Sequence, residues 1–302
     1  MKASLKDNTA SFSFVLPALL IFLVFYVYPF FYSFVLSLTD YSLIGKFNFK
    51  NSFVGLQNFK DLLVDIDWWK SFYNAGFITF FALTFQNILA LLLALAVDKV
   101  IRMRKFYRVV FFILPVLSEI IIGLLMKQFM LSEPTGRDVL NNILNNIGLG
   151  FMAQDWIAGH NVRLITALVH CWKGFGWAFV ILLAGLQSIP DQLYEAARID
   201  GANTWQQFCK ITMPLLMPVS TLVMVLTILG TMQAFAMILA LNQGAGGETT
   251  VPVMIIYNHL GTGQAGLACA EGLILGAILV VVSFTMFYVS KIIREKYGVV
   301  PN

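Results

Sequence analysis

The chain has 302 residues, of which 59% are hydrophobic and only 12% charged, with a net charge of +4 and a mean hydropathy of +0.78. Soluble domains carry about 25% charged residues, so this composition excludes an ordinary water-soluble domain and indicates a membrane protein. The positive charge is not a nucleic-acid signal, because the basic residues cluster beside apolar segments.

In chain order, six apolar segments are long enough to cross a hydrocarbon core of about 30 Å, which takes about 20 helical residues. They are residues 12–38, 72–97, 109–130, 162–187, 214–241 and 265–290. We therefore predict an all-α membrane protein with six transmembrane helices. The first segment is expected to be a retained helix, because it is too long for a signal-peptide core and no small-residue cleavage site follows it.

Lysine and arginine predict the orientation of these helices. In this arrangement most of the 20 basic residues lie on one side, at the two ends of the chain and in the short links 98–108 and 188–213. The positive-inside rule makes that side cytoplasmic, so both termini are expected to be cytoplasmic. We divide the chain into a first helix with its outer loop (1–71), a five-helix core (72–290) and a cytoplasmic tail (291–302).

Two of the outer segments carry recognisable local signals. The segment 131–161 holds paired asparagines followed by Gly148 and Gly150, which predicts a short amphipathic helix ending at glycine. The segment 242–264 contains five glycines and is predicted to be a flexible loop. The three cysteines form no CxxC pair, and no spacing of His, Cys, Asp or Glu indicates a metal site.

The link 188–213 is the most distinctive polar segment. Asp191 follows a proline and favours a helix start, and Asp200-Gly201 favours a break. A second short helix with an apolar face is predicted to follow, with Pro214 opening the next span. A connector resting on lipid headgroups would need a basic face, whereas this link carries three acidic residues, so it is better suited to a protein partner.

Ten positions in this link and at the start of the next apolar segment match one pattern: EAA, two residues, DGA, then Phe, Ile, Pro and Pro at fixed offsets. They are Glu195, Ala196, Ala197, Asp200, Gly201, Ala202, Phe208, Ile211, Pro214 and Pro218. The pattern resembles the EAA loop of binding-protein-dependent ABC importer permeases. Residues 183–190 and 14–29 resemble the carbohydrate-uptake branch of that family, the maltose and glycerol-phosphate permeases. The resemblance covers about 72–290, and the first helix also fits.

The resemblance implies a type I ABC importer transmembrane fold in the cytoplasmic membrane. The expected partners are a second permease in a heterodimer, two ATPase subunits that bind ATP and Mg, and an extracytoplasmic solute-binding protein. The loop 191–213 would be the coupling helix, with Glu195, Ala196, Ala197, Asp200, Gly201 and Ala202 as its contact residues. No phosphate-binding loop or nucleophile elbow is present in the chain, so it is expected to be non-catalytic and to bind no cofactor itself.

Polar residues inside apolar segments are candidates for a substrate pathway, because charge is costly there. Glu119 and Lys173 fall at similar depth; they are interpreted either as a buried ion pair or as lining of a path for a polyhydroxyl substrate. In the fifth segment the tentative pathway residues are Thr227, Gly230, Thr231 and Gln233, for which close helix packing is an equally good explanation. Glu271 is a further intramembrane charge.

The predicted function is that of a permease subunit importing a sugar or oligosaccharide by alternating access. In one alternative the chain is still an ABC permease, but its cargo is a phosphorylated polyol or another polar solute. Lys173 would then bind the anionic group of the cargo. An ion-coupled secondary transporter, with Glu119 and Glu271 as a proton relay, would leave the coupling-loop pattern unexplained. An integral-membrane enzyme is disfavoured by the missing catalytic constellation.

Overall fold

The computed structural model describes residues 15–43, 52–99, 103–131 and 139–296, and these form helices joined by turns, with two isolated β-bridges and no strand. The helices are α1 (Val15–Ser37), α2 (Gln57–Val64), α3 (Ile66–Lys99), α4 (Arg104–Val116), α5 (Glu119–Met130), α6 (Val139–Asn146), α7 (Val162–Gln187), α8 (Asp191–Ile199), α9 (Thr204–Met232), α10 (Ala236–Asn242), α11 (Pro252–Gly261) and α12 (Ala265–Lys296).

Within the described residues, α1, α3, α7, α9 and α12 are long and apolar enough to span a membrane, and α4 with α5 makes a sixth span if counted as one. The chain divides into two compact units. Unit 1 holds the chain up to Asp65 together with Ile255–Gly276, and unit 2 holds Ile66–Met254 and the chain from Ala277 onward. The predicted all-α membrane fold is confirmed.

The segment 109–130, predicted as one spanning segment, is broken into two helices in the structure. α4 and α5 meet at a bend of 88°, with Leu117 and Ser118 extended between them. Pro115 supplies the cause, because proline has no N–H for the helix ladder and its ring crowds the carbonyl four residues earlier. Glu119 therefore opens a helix instead of occupying the middle of one.

The span predicted at 214–241 also differs from the structure at both ends. α9 begins at Thr204 and runs through a π-helical turn at Phe208–Thr212, so the second short helix expected before Pro214 is the first part of a spanning helix. α9 ends at Met232, and α10 follows as a separate helix. Met237, Ile238 and Leu241 of α10 are buried in a core shared with α5 and α7, and this packing sets its direction.

The core of unit 2 is built by α3, α7 and α9. Ala90 and Ala94 of α3 lie one turn apart and are completely buried, together with Phe179 and Leu183 of α7 and Leu216 of α9. Small side chains at four-residue spacing let membrane helices approach closely. This packing fixes the position of α7, which supplies several of the residues that line the polar cavity described below.

The outer segment 242–264 is more ordered than its five glycines predicted. It contains a 3-10 turn at Ala245–Gly247 and the helix α11. Asn74 of α3 donates hydrogen bonds of 2.9 Å to the carbonyls of Gly247 and Thr250. Glu248 forms ion pairs with Lys70 and Arg163, and the hydrogen bond from Lys70 is the main reason that the pKa of Glu248 lies below its ordinary value.

Unit 1 contains the remaining intramembrane acid, Glu271. Its carboxylate is fully buried and lies 2.7 Å from Nδ1 of His259 on α11. This contact raises the pKa of His259 above its ordinary value. The hypothesis of a relay joining Glu119 and Glu271 places its two members in different units, and each acid has its own basic partner.

Candidate functional site: an exposed loop and a polar cavity

The exposed loop is the segment 191–213, which contains α8 and the start of α9. α8 ends in a Schellman motif: the N–H of Ala202 donates to the carbonyl of Ala197 at 2.8 Å, and that of Gly201 donates to Arg198 at 3.1 Å. The motif needs a left-handed residue, and Gly201 supplies it with φ of +78°. A turn was predicted at Asp200-Gly201, and the structure has one there.

Hydrogen bonds attach the exposed loop to the start of α9. The side chain of Asn203 accepts from the N–H of Gln206, whose side chain accepts in return from Asn203, which completes a capping box. The hydroxyl of Tyr194 lies 2.9 Å from that of Thr212. The contact between Tyr194 and Thr212 ties α8 to a spanning helix, and the capping box fixes the start of that helix.

The surface of the exposed loop combines polar and apolar groups. Ile199 is 87% exposed and Trp205 is 71% exposed, and the Trp205 ring stacks on Phe208 with centroids 5.6 Å apart. Glu195 and Asp200 are exposed beside them. Large apolar side chains left uncovered among charges are typical of a protein-binding surface. The sequence pattern includes the acidic residues and Gly201 but not Ile199. The importance of Ile199 follows from its exposure in the structure.

The polar cavity lies among α3, α4, α5, α7 and α9 and has a volume of about 410 Å³. Its lining is a mixture of charged, amide, imidazole and aromatic groups on an apolar wall, which is typical of a small-molecule site. The lining residues are Gln86, Phe112, Pro115, Glu119, His170, Lys173, Gly174, Trp177, Leu226, Thr227 and Gly230.

Glu119 and Lys173 form an ion pair in the polar cavity. Nζ of Lys173 donates to Oε1 of Glu119 at 2.5 Å, which confirms the predicted contact. The Lys173 side chain is 16% exposed and that of Glu119 is 41% exposed. Glu119 also lies in the first turn of α5, where the helix dipole favours a negative charge. The pair leaves the cavity with little net charge.

The four tentative pathway residues of the fifth segment separate into two groups. Thr227 and Gly230 line the polar cavity. Thr231 is fully buried, with its hydroxyl 2.7 Å from that of Thr79 on α3, and Gln233 caps the end of α9. Neither Thr231 nor Gln233 is among the residues that line the cavity, so helix packing is the better interpretation of Thr231.

Three cavity residues escaped the sequence reasoning. His170, Trp177 and Gln86 line the polar cavity but were not among the candidates named from the sequence. His170, Lys173, Gly174 and Trp177 follow the three- and four-residue spacing of one helix face, which was the available signal. Gln86 has no such pattern. Its Oε1 is buried and has no hydrogen-bond partner within the described chain. A β-carbon at Gly174 would lie 2.3 Å from that oxygen, so the Gln86 side chain would have to shift to accommodate any larger residue there.

No group of three or more His, Cys, Asp or Glu residues that could hold a metal ion occurs in the part of the chain that the structure describes. The polar cavity contains one acid and one imidazole, and the exposed loop contains acids that project from separate turns. The side chains that line the cavity offer hydrogen bonding, ion pairing and aromatic stacking.

A helical membrane-spanning core with a polar cavity, joined to an exposed loop that is held by hydrogen bonds, is typical of a transport permease. The family model described as "Binding-protein-dependent transport system inner membrane component" matches residues 86–295. The chain belongs to this family and is a multi-pass protein of the inner membrane. The resemblance to carbohydrate-uptake permeases predicted from the loop pattern is confirmed.

Two similar proteins show how the family varies in cargo. The arabinooligosaccharides transport system permease of Bacillus subtilis is 32% identical, over 92% of this chain and 87% of that protein. The sn-glycerol-3-phosphate transport system permease of Pectobacterium atrosepticum is 30% identical, over 90% of each chain. Among solved structures, a bacterial ABC transporter involved in import of the acidic polysaccharide alginate matches with a TM-score of 0.80 and 24% identity, over 95% of this chain and 96% of that chain. This last likeness shows the fold.

Proposed function

We propose that this chain is the permease subunit of an ATP-driven importer that moves a sugar or oligosaccharide across the membrane by alternating access. A second permease forms a heterodimer with it, two ATPase subunits bind ATP and Mg, and an extracytoplasmic binding protein delivers the cargo. The exposed loop and both chain ends face the cytoplasm. The observation that carries the proposal is the capped α8, exposed on its outer surface and tied to a spanning helix.

The exposed loop couples the ATPase to the polar cavity through α9. Glu195, Ala196 and Ala197 of α8 and Asp200, Gly201 and Ala202 of the turn form the contact surface for the ATPase, with Ile199 as an apolar anchor. α9 runs without interruption from Thr204 past Thr227 and Gly230, a length of about 35 Å at 1.5 Å per residue. Movement of the loop on ATP binding therefore tilts the cavity wall, as alternating access requires.

Replacement of Gly201 tests the coupling. Gly201→Asp puts a side chain on a left-handed residue, strains the Schellman turn and adds charge to the contact surface. We expect uptake by the reconstituted transporter to fall at least about tenfold while the protein remains in the membrane. Gly148→Asp is the matched control, because Gly148 has φ of +79° and equally open surroundings. Equal uptake by the two variants would contradict the coupling role.

The electroneutral cavity favours a neutral, hydroxyl-rich cargo over an anion. Lys173 already has a carboxylate partner, whereas the Gln86 side chain that lines the cavity carries an amide able to hydrogen-bond a hydroxyl. Trp177 offers an aromatic face on which a sugar ring can stack. These features favour a sugar as the cargo. A phosphorylated polyol would need Lys173 as its counter-ion, and Lys173 would first have to lose its ion pair with Glu119.

A comparison of cargoes separates these two possibilities. The complete transporter, purified with its partners, is offered neutral oligosaccharides or glycerol phosphate, and ATP hydrolysis is measured. We expect stimulation by a neutral sugar and none by the anion. Lys173→Met should impair stimulation by the sugar, because it removes a hydrogen-bond donor from the cavity. Stimulation by glycerol phosphate alone would establish the alternative.

A further inference from the structure

A second groove lies on the exposed face of α4 and shares only Phe112 with the polar cavity. Val109, Phe112, Ile113 and Val116 of α4 form its wall with Val180 of α7, and its volume is about 380 Å³. The α4 residues follow one helix face at three- and four-residue spacing and are between 41% and 69% exposed. The opposite face of α4 is packed, since Phe111 contacts Phe175 and Phe179.

One charged residue stands at the end of this apolar groove. Arg108, the residue directly before Val109, lines the groove, and its Nη2 donates to Oε1 of Gln187 at 2.5 Å. Nε is buried without a hydrogen-bond partner among the described residues. A guanidinium has five N–H donors, so the bond to Gln187 satisfies a small part of its capacity. Unsatisfied donors beside hydrocarbon are costly.

We propose that this groove binds one anionic phospholipid, with its phosphodiester on Arg108 and an acyl chain along Val109–Val116. Guanidinium groups bind phosphate oxygens in a bidentate manner. From residue 108 to 116 the groove extends about 12 Å along the helix, which suits the upper part of an acyl chain. Lys99 is exposed at the end of α3 and favours a headgroup with net negative charge.

The position of the groove gives the lipid a structural role. Arg108 joins α4 to Gln187, the last residue of α7, and α8 begins four residues later. A phosphate on Arg108 reinforces the junction between the helix that leads to the bend and the helix that leads to the exposed loop. Binding of the lipid depends on neither the identity of the cargo nor the coupling role of Gly201.

Photo-crosslinking of the intact complex tests this site. The purified transporter is mixed with phosphatidylglycerol carrying a diazirine on one acyl chain, irradiated and digested, and the labelled peptides are mapped by mass spectrometry. We expect label on residues 109–116. Arg108→Gln should reduce it at least fivefold, and Lys105→Gln, which removes a neighbouring charge on the same helix, should leave it within about twofold.

Two further measurements keep the outcome decisive. Ile113→Trp fills the groove without altering charge and should also reduce the label at least fivefold. This variant tests the proposal even if the Arg108→Gln complex does not assemble. The same probe with a phosphatidylcholine headgroup should label the segment at least threefold less. Equal label in Arg108→Gln and Lys105→Gln, equal label from both headgroups, or no label on α4 because the partner permease covers it, would each overturn the proposal.

Discussion

At the residue scale, the pair of Glu119 and Lys173 explains how two charges persist within apolar segments. Each supplies the other with a counter-ion at 2.5 Å, and Glu119 has further support from the N-terminus of α5. Lys173 lies in the middle of α7 and is the more buried of the two. Lys173 therefore depends on Glu119 for its stabilisation more than Glu119 depends on Lys173.

A double-mutant cycle measures that dependence. Glu119→Gln leaves a buried ammonium unpaired and should lower the thermal unfolding temperature of the purified complex more than Lys173→Met does, because the glutamate left behind is near solvent and a helix N-terminus. The double variant should be more stable than the sum of the single effects, with a coupling of about 1–3 kcal/mol. Additive effects of the two substitutions would show that the contact contributes nothing to stability.

At the element scale, the bend after α4 is linked to the packing of α7. Pro115 cannot donate to the carbonyl of Phe111 four residues earlier, so that carbonyl is free of the helix ladder. Gly176 of α7 lies against it: a β-carbon at 176 would overlap the Phe111 oxygen and lie 3.0 Å from Cδ of Pro115. A proline and a glycine on different helices thus form one contact. Pro115 lies inside the apolar segment 109–130, which was predicted from the sequence to be a single spanning segment.

Gly176→Ala should disrupt this contact. Overpacking costs about 1–3 kcal/mol, and a backbone carbonyl cannot move aside as a flexible side chain can, so the variant complex should unfold at a lower temperature. Gly76→Ala is the matched control. Gly76 lies inside α3 with no atom within 4 Å of an added β-carbon, and alanine there should be neutral or stabilising by up to about 1 kcal/mol. A Gly176→Ala complex as stable as the Gly76→Ala complex would refute the close approach.

At the scale of the whole molecule, the two units keep their intramembrane acids in separate settings. Glu119 pairs with Lys173 in unit 2, and Glu271 pairs with His259 in unit 1. Each acid has a local structural partner, which gives no support to a shared proton pathway. ATP dependence is the property that distinguishes the proposed importer from a proton-coupled transporter.

Uptake into proteoliposomes tests the energy source. With the complete complex, uptake should require ATP and continue when a protonophore collapses the proton gradient. The Glu271→Gln variant should retain ATP-driven uptake wherever the complex assembles, because the residue is assigned no role in proton transfer. Uptake driven by a proton gradient in the absence of ATP would instead establish the secondary-transporter alternative.

The amino-acid sequence by itself determined the membrane class, the number of apolar segments and the exposed loop, because composition and local spacing act over a few turns of chain. Gly201 could be assigned to a turn in this way, since its backbone conformation depends on its immediate neighbours. Tertiary structure decided the bend before Glu119, the separation of α10 from α9 and the membership of the polar cavity. Gln86, Glu119, Lys173 and Thr227 come from four different helices, and they meet only because buried small residues set how those helices pack.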